Sequence, residues 1–131
     1  MSKPLVKILE KGYQAQIVEL ARGLGWTLIY HTYNSRRSAE GFPDLCMVHP
    51  EKALLLFAEI KGTGGKLSRE QAAWGNGIGV IARAIAGSQA DGHVLYRWWS
   101  PEDWDDVQAV LQGQSREAVA LLAREQGGRD A

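Results

Sequence analysis

The feature that most constrains the fold is an apolar run at residues 53–61, ALLLFAEIK, which ends in an acid and a base. Its length and composition predict a buried strand. A shorter apolar segment at residues 44–49, DLCMVH, precedes it, and the tight connection at residues 50–52 predicts that the two strands form a β-hairpin. Because an unpaired charge at the end of a buried strand is costly, Glu59 and Lys61 are unusual occupants of this position.

The segments that precede the hairpin and follow it add helices and two further strands. Residues 5–24 carry apolar side chains at a spacing close to 3.6 residues, which predicts an amphipathic helix that Gly23 and Gly25 end. Residues 26–33 are rich in aromatic and β-branched residues and predict a strand, and residues 93–99 predict another.

The second half of the chain carries three helix-start signals. Ser68 and Gln71 fit a capping box, which predicts a helix from this point. The three glycines between residues 75 and 79 leave open whether that helix continues through residues 78–86. Ser100-Pro101 followed by acids predicts another helix, and residues 115–126 predict a last one. The order α-β-β-β-α-β-α predicts an α/β fold with a mixed β-sheet flanked by helices.

Length and composition indicate one domain in a reducing compartment. A chain of 131 residues is long enough for one hydrophobic core. The single cysteine, Cys46, excludes an intrachain disulfide. No apolar run approaches the roughly 18 residues of a membrane span, and the first four residues lead into no signal-peptide core. We therefore expect a cytoplasmic protein without a membrane partner.

Charge is balanced over the whole chain but unevenly distributed along it. Fifteen basic and fifteen acidic residues give a formal net charge of zero, which neither supports nor excludes a nucleic-acid partner. Residues 101–108, PEDWDDVQ, carry four acids and no base. Basic residues cluster instead around the hairpin: Arg36, Arg37, Lys61, Lys66 and Arg69.

The charged residues of the hairpin have the composition of a cation site. Side chains alternate along a strand, so Glu59 and Lys61 project from the same side. If Asp44 begins the paired strand, its carboxylate can approach Glu59. Two carboxylates and a backbone carbonyl, with water at the remaining positions, suit Mg²⁺ or Mn²⁺, and Lys61 would contact a water or a phosphate oxygen. This is the equipment of metal-assisted phosphodiester hydrolysis. The alternative is a surface salt bridge between Lys61 and one of the two acids.

An ordered set of sequence blocks resembles the VRR-NUC branch of the PD-(D/E)xK nucleases. The blocks are GFPDL, FAEIKG and KLSREQAAW, with GWTLIYHTYNSRRS upstream and WWSPEDWDD downstream. They resemble in particular the stand-alone, often phage-encoded members, and they cover roughly residues 10–111. The resemblance implies a restriction-endonuclease-like core. We expect a nuclease domain at residues 4–112, followed at residues 113–131 by a C-terminal helix and a flexible tail.

The resemblance also implies roles for individual residues. Asp44 and Glu59 match the metal-ligating acids, with the Ile60 carbonyl as a third ligand, and Lys61 matches the lysine that positions or activates the attacking water. Gln71 matches a helix glutamine near the site. Glu10, in EKGYQ, is preferred to Glu19 as the acid of the first helix that can complete a second metal position. The interruption WGNGIG after Gln71 departs from the family pattern and leaves the geometry of Gln71 and the length of its helix open.

Further residues are assigned to DNA binding or to local structure. Arg36 and Arg37 in the polar loop and Lys66 in the glycine-rich loop are candidate phosphate contacts, although each arginine could equally be a solvated loop residue. Gln71 is either a site residue or the capping partner of Ser68, and we expect that one side chain cannot fully satisfy both roles.

The function expected from these features is Mg²⁺- or Mn²⁺-dependent endonucleolytic cleavage of DNA. The resemblance implies a homodimer that prefers branched DNA such as Holliday junctions, although duplex DNA is also a possible substrate. Two alternatives remain: a non-catalytic DNA-binding or interaction module on a nuclease scaffold, and a restriction-type enzyme with sequence-specific cleavage. Retention of Asp44, Glu59, Lys61 and Gln71 argues against the first, and the short chain argues against the second.

Overall fold

A computed structural model of the chain describes residues 7–32 and 39–125. The described residues form one four-stranded sheet with strand order β1-β2-β3-β4. Its strands are β1 (Leu28–His31), β2 (Leu45–His49), β3 (Leu54–Ile60) and β4 (His93–Trp99). The first three strands are antiparallel neighbours, and β4 runs parallel to β3. The predicted hairpin is therefore β2–β3.

Four helices flank the sheet: α1 (Glu10–Gly23), α2 (Arg69–Ala86), α3 (Trp104–Gln112) and α4 (Arg116–Arg124). A 3-10 turn, Pro101–Asp103, leads into α3. The α/β class, the mixed sheet and the element order match the prediction, and the architecture is consistent with a restriction-endonuclease-like core. No helix in the described ranges is long and apolar enough to span a membrane.

Two of the element predictions require correction or completion. The first helix was predicted from residue 5, but residues 7–9 are not helical and α1 begins at Glu10. The backbone of Ile8 is instead hydrogen-bonded to Thr63 in the loop after β3. The helix after Ser68 is continuous through its glycines and reaches Ala86. Gly75 and Gly79 are buried, so these glycines let α2 lie close to the sheet instead of breaking the helix.

The hydrophobic core lies on one face of the sheet. Alternate residues of β3 are fully buried there, and α1 and α3 cover them. Two buried side-chain hydrogen bonds connect the segments around this core. The Trp26 indole donates to the Leu111 carbonyl of α3 at 2.9 Å, and the Tyr13 hydroxyl of α1 donates to the Ser100 carbonyl at 2.7 Å. The α4 residues Val119 and Ala123 are also buried in this core.

Arg97 is a fully buried charge on the core face of β4. Its guanidinium donates to the Asp106 carboxylate at 2.9 Å and to the Leu122 carbonyl at 2.8 Å. It therefore links β4 to α3 and α4, with its donors matched by acceptors. Sequence patterns gave no indication of this role.

The opposite face of the sheet carries the hairpin charges and is covered by α2. Cross-strand register aligns Tyr30, Cys46, Phe57 and Tyr96 in one row on that face. Tyr96 lies beneath α2 and is 3% exposed, whereas Tyr30, at the other end of the row, is 59% exposed. Within the described ranges, α2 covers the β3–β4 half of this face, Phe42 packs beside it against Phe57, and the β1 end of the face is exposed.

Candidate active site

The ends of β2 and β3 bring three predicted site residues together. Leu45 pairs with Ala58, which places Asp44, the residue before β2, beside Glu59 near the end of β3. The Asp44 carboxylate accepts a hydrogen bond from the Ile60 backbone N–H at 2.8 Å. Lys61 Nζ lies 3.6 Å from Glu59 Oε2. The two carboxylates and the ammonium group therefore converge as the alternation along the strand predicted.

Glu59 is the buried centre of this group, with 2% of its surface exposed. Its Oε2 accepts a hydrogen bond from the Gln71 amide, while Oε1 is buried and faces no hydrogen-bond donor in the described chain. Burial is the main cause that raises the pKa of Glu59 to about 9; the neighbouring Asp44 carboxylate acts in the same direction, and Lys61 opposes them. Without a cation, Glu59 is therefore disposed to hold a proton.

Glu10, at the start of α1, lies within electrostatic reach of the same group. Partial burial and the charge of Asp44 raise its pKa, and Lys61 lowers it. The segment before α1 is fixed to the loop after β3, because Thr63 N donates to the Ile8 carbonyl and Ile8 N donates to the Thr63 hydroxyl, both at 2.9 Å. Glu19 is exposed and nine residues further along α1, about 13 Å along the helix axis. The helix acid beside the site is Glu10.

The structure corrects the expectation that Gln71 cannot serve both its capping role and the site. Its Oε1 accepts from Ser68 N at 2.8 Å and completes the capping box. Its Nε2 donates to Glu59 Oε2 at 3.0 Å. An amide has a separate acceptor and donor, and here each end faces a different partner. Gln71 consequently connects the first turn of α2 to the buried carboxylate.

The glycine-rich loop packs against Lys61. Gly62 to Gly65 form a turn closed by a 3.0 Å hydrogen bond, with Gly64 at a positive φ of 81°. A Cβ on Gly65 would lie 2.9 Å from the Lys61 Cβ, so glycine permits this close approach.

Lys66, a predicted phosphate contact, follows the turn and is exposed, and it lines an open cavity of about 350 Å³ with Trp98. Arg36 and Arg37 lie outside the described residues.

Tyr96 is a buried neighbour of the site that the sequence did not reveal. Its hydroxyl has no hydrogen-bond partner in the described part of the chain. Burial raises its pKa, and the charges of Glu59 and Asp44 add to this effect, which places the phenol in the field of the two carboxylates. The available signal was the set of glycines at residues 75–79 within a helical pattern, because glycine weakens a helix and its presence there often has a packing reason.

The donor set fits a small, hard divalent cation. Glu59 offers a buried oxygen without a donor, and the adjacent Asp44 carboxylate is fixed by a backbone N–H. Oxygen ligands of this kind suit Mg²⁺ and Mn²⁺. Within residues 7–32 and 39–125, no group of three or more Asp, Glu, His or Cys side chains is arranged so that it could hold a metal ion.

Comparisons with known proteins agree with this geometry. A family model described as the VRR-NUC domain matches residues 4–79, more than half of the chain. A 41-residue segment is 46% identical to the Fanconi-associated nuclease 1 homolog of Caenorhabditis briggsae and covers 31% of this chain and 5% of that protein. A 52-residue segment is 35% identical to the homolog from Schizosaccharomyces pombe and covers 40% of this chain and 7% of that protein.

The chain thus spans a small part of the length of these curated relatives. No solved structure gives a significant match. The family match includes Asp44, Glu59, Lys61 and Gln71, the residues that meet at the hairpin end. The chain belongs to the VRR-NUC family of the PD-(D/E)xK nuclease superfamily.

Proposed function

We propose that this protein is a Mg²⁺- or Mn²⁺-dependent endonuclease that hydrolyses phosphodiester bonds in DNA. The observation that carries the proposal is the buried Glu59 carboxylate, which has an oxygen without a donor and lies beside Asp44, with Lys61 Nζ 3.6 Å away. A merely structural ion pair between Lys61 and Glu59 would not require Asp44 as a second carboxylate. Membership of a nuclease family supports the same function.

Asp44, Glu59 and the Ile60 carbonyl would hold the cation, and Glu10 would complete a second metal position. A bound divalent cation supplies an activated water and neutralises charge that develops on the phosphate. Asp44 is held by the Ile60 N–H and Glu59 by Gln71, so both carboxylates are oriented before substrate arrives.

Lys61 would act on the reacting groups. Its ammonium approaches Glu59 Oε2, and the glycine turn packs on its alkyl chain, so the head group is held at the site. From there it would donate hydrogen bonds to the attacking water or to a phosphate oxygen as charge develops. Lys66, Arg36 and Arg37 would contact flanking phosphates, which positions DNA without reading its sequence.

A homodimer would explain the half-covered sheet. Four strands span roughly 19 Å, whereas one helix is about 10 Å wide, so among the described residues α2 and the Phe42 side chain beside it leave part of this face uncovered. Four apolar side chains border that uncovered part and are 39–61% exposed: Leu28, Tyr30, Trp74 and Ile81. Together they expose on the order of 400 Å², about half of the 800 Å² per partner that a stable dimer buries. We propose that α2 of a second copy covers this surface.

The dimer is tested by a charge in the apolar surface. Ile81→Glu should yield monomers by light scattering, because the interface would bury an unpaired carboxylate. Leu121→Glu on α4, at a residue 60% exposed, is the matched control and should leave the mass unchanged. A wild-type protein that is monomeric at all concentrations would exclude this proposal.

Two active sites related by a two-fold axis would suit cleavage of two strands at a branch point, and we propose branched DNA as the preferred substrate. The test compares matched linear, flap and four-way-junction DNAs with Mg²⁺, with Mn²⁺ and in EDTA. We expect metal-dependent internal cleavage that is fastest on the branched substrates. Binding without cleavage under every metal condition would instead indicate a non-catalytic DNA-binding module.

A further inference from the structure

The helix that carries Gln71 rests directly on the ring of Tyr96. A Cβ added at Gly75 would lie 2.5 Å from Tyr96 Cζ and 2.6 Å from its hydroxyl oxygen, distances that real Cβ atoms essentially never show. Tyr96 is 3% exposed and Gly75 is buried, so neither group has free space to move into. The Tyr96 ring consequently limits how closely α2 can approach the sheet at Gly75.

This contact lies one helical turn from the amide that holds Glu59. Gln71 and Gly75 are four residues apart and share a face of α2. On the sheet side, Tyr96 pairs with Phe57, and Glu59 lies two residues further along β3 on the same face. The helix and the sheet therefore meet at two adjacent points, Gly75 on Tyr96 and Gln71 on Glu59.

We propose that Tyr96 is a positioning residue, which supports α2 at Gly75 and thereby holds the Gln71 amide against Glu59. The 3.0 Å Gln71–Glu59 hydrogen bond tolerates little displacement, since a few tenths of an ångström carry it out of the range of a good bond. A smaller ring at residue 96, or a shift of α2 relative to the sheet, would thus move the Gln71 amide and weaken its hydrogen bond to the Glu59 carboxylate. Its consequence for catalysis rests on the proposed function, whereas the mechanical link does not.

The sharpest test compares two glycine-to-alanine variants in one helix. Gly75→Ala introduces the clash with Tyr96, whereas Gly77→Ala adds the same methyl group where nothing lies within 4 Å. Alanine favours a helix over glycine at either site, so a change in the Gln71 signals that is seen only with Gly75→Ala is a packing effect. The measurement is the side-chain amide signal of Gln71 in the NMR spectrum of metal-free, isotope-labelled protein, assigned with Gln71→Ala.

We expect Gly75→Ala to shift the Gln71 amide signals and Gly77→Ala to leave them in place. Combining Gly75→Ala with Tyr96→Leu, which removes the ring beneath the new methyl, should return them toward the wild-type position. Unchanged Gln71 signals in Gly75→Ala, or equal shifts in both alanine variants, would overturn the proposal. If Gly75→Ala does not fold, Tyr96→Leu alone must shift the signals, and unchanged signals in that variant would overturn it equally.

A double-mutant cycle then connects the link to cleavage. Gln71→Ala should lower kcat in the Gly77→Ala background and have little further effect in the Gly75→Ala background, because the amide is already displaced there. Equal effects of Gln71→Ala in both backgrounds would contradict a path through Gln71. Failure of the proposed nuclease function would remove the cleavage readout alone, and the NMR result in metal-free protein would still stand.

Discussion

One face of the sheet buries an arginine and the other buries a glutamate, and the two side chains differ in how completely they are paired. Arg97 on the core face is fully buried, and its guanidinium donates to Asp106 and to main-chain carbonyls. Glu59 on the opposite face is 2% exposed, has a second carboxyl group as its neighbour and keeps one oxygen without a donor. Complete pairing is typical of a structural charge, and incomplete pairing next to a like charge is typical of a functional one.

The largest expected effect is a loss of cleavage when residues on the Glu59 face of the sheet are substituted. Asp44→Ala and Lys61→Ala should each lower cleavage by about 10³-fold or more, because each removes a group that acts on the reacting centre. Far-UV circular dichroism and DNA binding should stay close to wild type. Excess Mn²⁺ should partly restore Asp44→Ala but not Lys61→Ala, since only the first variant loses a metal ligand. Full activity in either variant, or in EDTA, would refute the mechanism.

On the core face, the same comparison predicts an effect on stability. Arg97→Met should lower the free energy of unfolding by about 3–5 kcal/mol, since it leaves the Asp106 carboxylate without its cation. Urea denaturation measures this loss. Arg22→Met, at an exposed position in the last turn of α1, serves as the control and should change stability by no more than about 0.5 kcal/mol. A near-neutral result for Arg97→Met would remove the contrast between the two buried charges.

A matched pair of variants in α1 tests whether Glu10 or Glu19 is the helix acid that contributes to the metal site. Glu10→Gln should raise the Mg²⁺ concentration for half-maximal cleavage about tenfold, a typical cost for an outer metal-site group. Glu19→Gln carries the same change further along the helix and should leave that concentration unchanged. If Glu19→Gln had the larger effect, the assignment of the helix acid would be wrong.

The smallest expected effect is a pH-dependent gain in stability. The pKa of Glu59 in the folded protein is about 9, above its ordinary 4.5, so protonation of Glu59 favours folding. That contribution is complete below about pH 4.5 and is lost as the pH rises through about 9. In EDTA, Glu59→Gln should therefore melt a few degrees above wild type near pH 9 and match it near pH 5. A wild-type advantage at high pH would contradict the burial of an unsatisfied carboxylate.

Much of the fold and of the site could be predicted because local patterns determine them. Strand alternation places Glu59 and Lys61 on one side, and the hairpin brings Asp44 to them. These three residues converge as predicted. Helix starts at Ser68 and Ser100 were likewise encoded by local capping chemistry.

The remaining features depend on contacts between distant segments. The close approach of α2 at Gly75 involves the Tyr96 ring beneath it, and Tyr96 is brought there by a parallel β3–β4 pairing that no local pattern specifies. The two roles of Gln71 depend on where α2 crosses β3. Burial of Arg97 similarly requires α3 and α4 to provide its acceptors.

The central claim is that Glu59 and Asp44 form a cation site, and thermal unfolding with Mn²⁺ tests it most directly. At neutral pH, Mn²⁺ should raise the melting temperature of wild type by several degrees relative to EDTA, because binding to the folded state alone stabilises it. Glu59→Gln, which starts from an equal or higher melting temperature in EDTA, should gain little or nothing. Equal Mn²⁺-induced stabilisation of both proteins would place the cation elsewhere and contradict the account.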